Sequence, residues 1–239
     1  MNKKLSSTDG YDFSPNFNEE QSYALGLLWA DGWMGQTKGY RAKHLRIEVL
    51  EEDFQDFKSA LSSIGKLTET VRLRKDRKKA VISALISNKA LCEWLFENGF
   101  KNKSVQSPIN ILSHINKQYH KDFIRGWIDG DGCFYVNEKN NCFQFCMAGS
   151  YEQDWISFIK ILNILKIKYT YKKKTQIQKE KVNKYSIIRI TGLNNLKIFI
   201  DYVYKDANFF LKRKYEKAFI IKNRKLKIIK NIQQSQVCQ

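Results

Sequence analysis

Two aspartates stand where a helix should end in something else. The stretch FIRGWIDGDGCFY, residues 123–135, carries apolar side chains at helical spacing (Phe123, Ile124, Trp127, Ile128) that run into Asp129-Gly130-Asp131-Gly132, then an alternating, strand-like segment. Glycine is an ordinary helix stop, but a helix C-terminus carries partial negative charge and disfavours carboxylates. YALGLLWADGWM, residues 23–34, repeats the arrangement. Asp31 and Asp131 are one hundred residues apart, each followed by glycine and preceded by a small residue, Ala30 or Gly130. Gly26 and Ala30 share one helix face, as do Gly126 and Gly130, because each pair is spaced by four. Small residues at that spacing let two helices approach with backbones nearly touching, which would set Asp31 beside Asp131. Two carboxylates and the free carbonyls of two helix ends repel one another and attract hard divalent cations such as Mg²⁺. Such cations activate water and stabilise a leaving oxygen in phosphodiester cleavage. One Asp-Gly after a helix is an ordinary turn; the second copy at the same helical offset is what gives the pair meaning. Asp129 has Trp29 at its place in the first copy. A symmetric metal site does not need it, and it reads as a local cap or a water contact.

The elements that must hold these acids occur twice. Asn18 with Gln21 three residues on is a capping-box pattern, opening a helix to about Met34. Strand-like stretches ending at HLRIEVL follow, then a helix DFQDFKSALSSIG, strands LTETVRLR and KAVISALIS, and a helix NKALCEWLFENG. The second half starts with a helix over roughly 117–129 and strands CFYVNEK and CFQFCMA. It continues with a helix YEQDWISFIKILNIL, strands KYTYKKKTQIQ and YSIIRITG, and a helix LNNLKIFIDYVY. Both halves read αββαββα. The expected divisions are an N-terminal extension (1–17), a first half-domain (18–100), a linker of little periodicity (101–116), a second half-domain (117–222) and a basic tail (223–239). The fold class is α+β, two pseudo-symmetric halves packed through their motif helices.

Composition narrows the partner. With 239 residues and 43% hydrophobic content the chain buries one large core or two modest ones. Its 42 Lys+Arg against 24 Asp+Glu leave +18, a surplus that attracts a polyanion over long range, nucleic acid above all. No uncharged apolar run approaches the ~18 residues of a spanning helix, and MNKKLSSTDGYDFSPN has no stretch suited to a signal peptide. The expectation is a soluble protein acting where it is made, with no membrane partner. A minor reading takes KRKYEKAFIIKNRKLKIIK as a basic amphipathic helix on a membrane surface. The five cysteines are odd in number, lack CxxC spacing and do not cluster with the three histidines; free thiols in a reducing compartment and no zinc site are expected.

ALGLLWADG (24–32) and IRGWIDGDG (124–132) resemble the signature of the LAGLIDADG homing endonucleases in their two-motif, monomeric form. The element order, matched over nearly the whole chain, resembles that family's half-domains. The resemblance implies a saddle of two halves whose sheets lie in the DNA major groove, with cleavage of both strands across the minor groove. It implies two or three divalent ions, Mg²⁺ with Mn²⁺ as a substitute, held by Asp31 and Asp131 with the Ala30 and Gly130 carbonyls. It implies a basic residue after the last helix of each half; FKNKS and FLKRKYEK occupy that place, so Lys103 and Lys214 are candidates for polarising the phosphate or positioning water. Arg213 is an alternative to Lys214. The signature's acid is replaced by Trp29 in the first motif, at a position that varies.

Strand alternation then assigns the DNA-facing side. HLRIEVL exposes His44, Arg46 and Glu48; LTETVRLR exposes Arg72 and Arg74 and turns Val71 and Leu73 inward. CFYVNEK exposes Tyr135, Asn137 and Lys139; CFQFCM exposes Gln144; Arg189 is the polar exception on SIIRIT. Arg, Asn, Gln and Glu suit base edges, and the lysine excess suits phosphates; a solvated outer sheet face is the alternative for each residue. The run YKKKTQIQKEKVNK, with Lys172 and Lys174, reads as a hairpin tip following the DNA backbone. The leading expectation is therefore a Mg²⁺-dependent, site-specific double-strand DNA endonuclease with an asymmetric target, encoded by a mobile intron or a free-standing gene. It would act in the cytoplasm of a bacterial or phage host, or inside an organelle. The alternatives are an RNA maturase acting on its host intron RNA and a catalytically silent DNA-binding regulator.

Overall fold

Asn18 opens the first long helix because its side chain accepts the Gln21 backbone N–H at 2.9 Å, while the Gln21 side chain accepts the Asn18 N–H at 3.2 Å. That reciprocal cap satisfies two donors the helix itself cannot. The computed structural model describes residues 5–6, 12–13, 15–36, 43–73, 79–178 and 181–224. Its elements begin β1 (Leu5–Ser6), β2 (Asp12–Phe13), α1 (Glu19–Asp31), β3 (Trp33–Gln36), β4 (Lys43–Leu50) and α2 (Glu51–Ser62). They continue β5 (Lys66–Leu73), β6 (Ala80–Ser87), α3 (Lys89–Glu97), α4 (Ile109–His114), α5 (His120–Asp131), β7 (Gly132–Asn137) and β8 (Cys142–Ser150). The remaining elements of the described residues are α6 (Ile156–Ile164), β9 (Tyr169–Gln178), β10 (Lys181–Thr191), α7 (Leu193–Tyr204) and α8 (Lys212–Asn223).

The αββαββα order is written twice, α1 to α3 and α5 to α7. Each half has a four-stranded antiparallel sheet, ordered β3-β4-β6-β5 in the first and β7-β8-β10-β9 in the second. Alternation aims Leu45, Ile47 and Val49 of β4 and Phe145 and Met147 of β8 at the helices, where all are buried. These side chains belong to one hydrophobic cluster that runs through both halves. The cluster is continuous because α1 and α5 are its centre: Ser22–Trp29 and Asp122–Asp129 are buried on every side. Trp127 of α5 stacks on Trp155 at 5.7 Å, locking that helix to its own half. Polar ties join the halves at the rim, where Arg213 grips Asp53 through two N–H groups at 2.9 Å and Asn208 Nδ2 donates to Glu19 at 2.9 Å.

Several local expectations are corrected. The first motif helix stops at Asp31, and Met34 lies in β3. Residues 101–116 are not featureless: α4 buries Ile111 and Leu112, with Ile115 behind them. Val71 and Leu73 point to the helix side of edge strand β5 yet are 59% and 81% exposed, as is nearly all of that strand. Of the two readings of the lysine run, the strand holds for Lys172 and Lys174: they lie in β9, paired with Ile187 and Tyr185 of β10, not at a hairpin tip. No helix among the described residues is long and apolar enough to cross a membrane. The tail beyond Arg224 lies outside the described residues.

Candidate active site

The site begins with two missing side chains. A Cβ on Gly26 would stand 2.0 Å from the Phe123 carbonyl oxygen, and one on Gly126 would stand 2.1 Å from the Tyr23 carbonyl oxygen. The motif helices α1 and α5 thus meet backbone to backbone. One turn further on, a Cβ on Gly130 would overlap the Ala30 methyl at 2.2 Å and approach Asp31 Oδ2 to 3.2 Å. Both helices end alike: the Gly32 N–H returns to Leu28 O and the Gly132 N–H to Ile128 O, and each glycine turns into extended backbone that opens the next strand.

Asp31 and Asp131 are therefore brought together. Both side chains reach solvent, while most of their surroundings is protein. Burial pushes the Asp131 carboxyl up to about 6, the Asp31 charge adds to the rise, and Lys103 opposes it. Asp31 is raised by burial too, against the pull of Lys103 and Lys214. Each acid prefers its proton more than it would in water, chiefly because it is desolvated, and for Asp131 also because Asp31 stands beside it.

Lys103 and Lys214 each close one helix end. Lys103 Nζ donates to Trp29 O at 2.7 Å and to Ala30 O. Lys214, on α8 and nearly buried, donates to Ile128 O at 3.0 Å, Asp129 O at 2.7 Å and Gly130 O at 2.9 Å. Burial lowers the pKa of both lysines, and Asp31 and Asp131 hold it up. The Ala30 and Gly130 carbonyls, expected as metal ligands, thus accept from ammonium groups; a carbonyl oxygen has a second lone pair to offer. Arg213, the alternative to Lys214, has its guanidinium paired with Asp53.

Asp129 is neither a local cap nor a water contact. It is 2% exposed, with Oδ2 accepting from Tyr23 OH at 2.8 Å and Leu211 N–H at 2.7 Å, and Oδ1 accepting from Tyr204 OH at 2.7 Å. Burial raises its pKa, and these three donors hold it down. Leu211 is the residue from which α8 departs, so Asp129 sets where Lys214 starts. A second buried hub lies one turn earlier. Arg125 is fully buried and donates to Asp122 at 2.6 Å, Phe209 O at 2.6 Å and Val203 O at 2.9 Å. Sequence reasoning named none of Tyr23, Arg125, Tyr204 or Asp122 as functional. The available signal was the asymmetry at Asp129: a carboxylate that the first motif does without needs partners of its own.

The sheet faces turned away from the helices carry the other candidates. Counted from the acids, the first row is Trp33, Arg46, Leu85 and Thr68 in one half, and Cys133, Cys146, Arg189 and Thr170 in the other. Each half thus has one arginine in this row, on different strands. The Nε of Arg46 and of Arg189 is buried with no hydrogen-bond partner among the described residues. His44 lies beyond Arg46, its ring against Gly35, and burial lowers its pKa. Tyr135 and Gln144 form the next row of the second half with Thr191. Asn137 is engaged locally, its Oδ1 accepting the Asn140 N–H at 3.1 Å. Arg72 and Glu48 share the outward face and pair with each other at 3.6 Å. Lys139 stands in the turn after β7 rather than on the strand, and Arg74 lies outside the described residues.

Residues 118–204 match the family model of a LAGLIDADG-like domain. The structure of the homing endonuclease I-WcaI bound to its DNA recognition sequence is similar at a TM-score of 0.52 and 16% identity, over 85% of this chain and 88% of that one. The LAGLIDADG homing endonuclease I-GzeII in complex with its DNA target gives a TM-score of 0.49 at 11% identity, over 88% and 89% of the two chains. An uncharacterized protein of Methanocaldococcus jannaschii is 27% identical over 141 residues, which are 57% of this chain and 46% of that protein. This chain therefore spans about half the length of that curated relative. With residues 118–204 matching a LAGLIDADG-like domain, the chain as a whole has the two-domain fold of the LAGLIDADG homing endonucleases.

Proposed function

We propose that the chain is a site-specific double-strand DNA endonuclease that hydrolyses phosphodiester bonds with the help of Mg²⁺. The observation that carries this reading is the abutment of Asp31 and Asp131 at two adjoining helix ends, flanked by Lys103 and Lys214. No group of three or more His, Cys, Asp or Glu side chains gathers among the described residues. Two carboxylates suffice for Mg²⁺, which is commonly held by one or two of them and otherwise by substrate phosphate and water. The repulsion and burial that drive Asp131 up to about 6 are what a divalent cation relieves. When bound, the metal supplies water activation and stabilisation of the leaving oxygen.

The chain's own groups do the rest. Asp31 and Asp131 would hold the divalent ions against which the reacting phosphates of the two strands are placed, one acid per half. Lys103 and Lys214 hold the helix ends fixed and set positive charge beside the phosphates. Arg46 and Arg189 face base edges, and Lys172 and Lys174 face the phosphate backbone. Because the halves differ in these rows, the target is asymmetric and is read by a monomer. The net charge of +18 draws the duplex in.

Selecting cleaved sites from a randomised duplex library in Mg²⁺, with a parallel incubation in Ca²⁺, tests the reading. One asymmetric site should emerge, bound in both ions and cut in Mg²⁺. Asp31→Asn and Asp131→Asn should bind it and leave it uncut. Near-normal cutting by either variant would overturn the shared acid site; binding of duplex or intron RNA with no cutting at all would move the chain to the regulator or maturase reading.

A further inference from the structure

The second half carries a feature the first half lacks. Cys133 and Cys146 are directly opposed on β7 and β8, with only Gly132 between Cys133 and Asp131. Both point away from the core: Phe134, Phe145 and Met147 beside them are buried, while Cys133 is exposed and Cys146 half-buried. The two thiols are close enough to hydrogen-bond. Opposed residues of an antiparallel pair have Cα atoms about 4.5 or 5.5 Å apart, and disulfides span about 4.4–6.8 Å. Joining them requires only a small closing of the two strands. Cys142 is four residues along the same face of β8, about 13 Å away and out of reach. In the first half the same register pairs Trp33 with Arg46, two long side chains.

We propose that Cys133 and Cys146 form a thiol–disulfide couple on the DNA-facing sheet, oxidised by small disulfides such as glutathione disulfide, and that its closure disables cleavage. The exposed Cys133 thiolate attacks one glutathione sulfur and expels a glutathione thiolate. The Cys146 thiolate then attacks the Cys133 sulfur, breaks the mixed disulfide and expels the second glutathione. Two protein thiols are oxidised, one glutathione disulfide is reduced to two glutathiones, and two protons pass to solvent or to the leaving thiolates. An exposed cross-strand bond of this kind is the labile, reversible class of disulfide. Closure draws the opposed Cβ atoms from about 4.5–5.5 Å to about 3.8 Å. The pull acts on the strand that leaves Asp131 and on the neighbour of Arg189. A displacement near 1 Å at a reacting group costs up to about a hundredfold in rate. The effect on cleavage rests on the endonuclease reading; the couple itself does not.

The full chain, purified under reductant, is incubated with glutathione disulfide, alkylated, and mapped by peptide mass spectrometry beside a cleavage assay. A Cys133–Cys146 linkage is expected with Cys92 and Cys142 alkylated, cleavage slowed about tenfold or more, and full recovery in dithiothreitol. Cys133→Ser and, independently, Cys146→Ala should lose the oxidant response, and Cys142→Ser should keep it. Absence of the linkage, or a linkage that leaves cleavage unchanged, overturns the proposal. If the reduced protein neither binds nor cuts DNA, the endonuclease reading falls, and the mapped linkage still decides the couple.

Discussion

Gly126→Ala tests the heart of the structure, because opposite outcomes follow from an open and a closed helix face. In an ordinary helix interior this change is stabilising by about 1 kcal/mol. Here the added Cβ would lie 2.1 Å from the Tyr23 carbonyl oxygen and 2.8 Å from the Leu27 nitrogen, both backbone atoms that cannot rotate away. Ordinary contact begins at 3.4 Å, so α1 and α5 must part by about 1.3 Å (3.4 less 2.1). Overpacking of this kind costs about 1–3 kcal/mol, and a rigid neighbour on each side puts it at the upper end. In a protein of this size about 3 kcal/mol corresponds to a fall of about 6–12 °C in melting temperature. One continuous core joins the halves, so both should melt together. The same separation moves Asp31 from Asp131, and about 1 Å at a reacting pair costs up to about a hundredfold in cleavage. Circular dichroism melts and single-turnover cleavage of the selected target measure both effects. A melting temperature equal to or above that of the parent protein would refute the close contact and, with it, the pairing of the two acids.

Protonation of Asp131 gives a pH signature. Its folded pKa of about 6 exceeds the ordinary carboxylate value of 3.8, so the proton stabilises the folded state, and that contribution is lost as pH rises from about 4 to about 6. The melting temperature of metal-free Asp131→Asn should therefore exceed that of the parent by a margin that opens across this window. A margin constant with pH would deny the shift. Asp129→Ala strands three buried donors at about 1–3 kcal/mol each, so a loss of about 3 kcal/mol or more is expected by denaturant melt. Asp129→Asn, which keeps an acceptor for Tyr23 and Leu211, should cost much less; an Ala variant as stable as the parent would remove Asp129 as the support of α8. Arg189→Ala should lose about 1–3 kcal/mol of binding on the preferred target and relax preference at one base pair, measured against a panel of single-base variants. Neutralising Lys172 should instead weaken all sequences alike and reduce the salt slope by roughly one. Equal loss on every target by the Arg189 variant would make it a backbone contact.

The motif helices were legible because their information is local. Spacing by four places Gly26 with Ala30 and Gly126 with Gly130 on single faces whatever the rest of the chain does, and the duplicated Asp-Gly fixes which ends must meet. The outward positions of Arg46, Gln144 and Arg189 follow equally from the period of two along a strand. Alternation could not reveal that Val71 and Leu73 stay exposed at an uncovered edge, since it tells which face a residue is on and not whether anything covers that face. The lysine run of β9 was read both as strand and as hairpin tip for a related reason: an edge strand exposed on both sides carries little hydrophobic contrast. Lys103 and Lys214 were identifiable as residues near the acids, but their hold on the Ala30 and Gly130 carbonyls depends on where the chain returns after α3 and α7. Asp129 shows the limit most clearly. Its partners Tyr23, Tyr204 and Leu211 lie 106, 75 and 82 residues away in sequence, and no periodicity links them. Buried polar groups choose their partners from whatever the packed core brings within about 3 Å. The sequence alone therefore determined the paired acids, the doubled fold and the sheet faces, whereas tertiary packing decided how the acids are held, which carbonyls the two lysines cap and that Arg46 and Arg189 fall in the row nearest the acids.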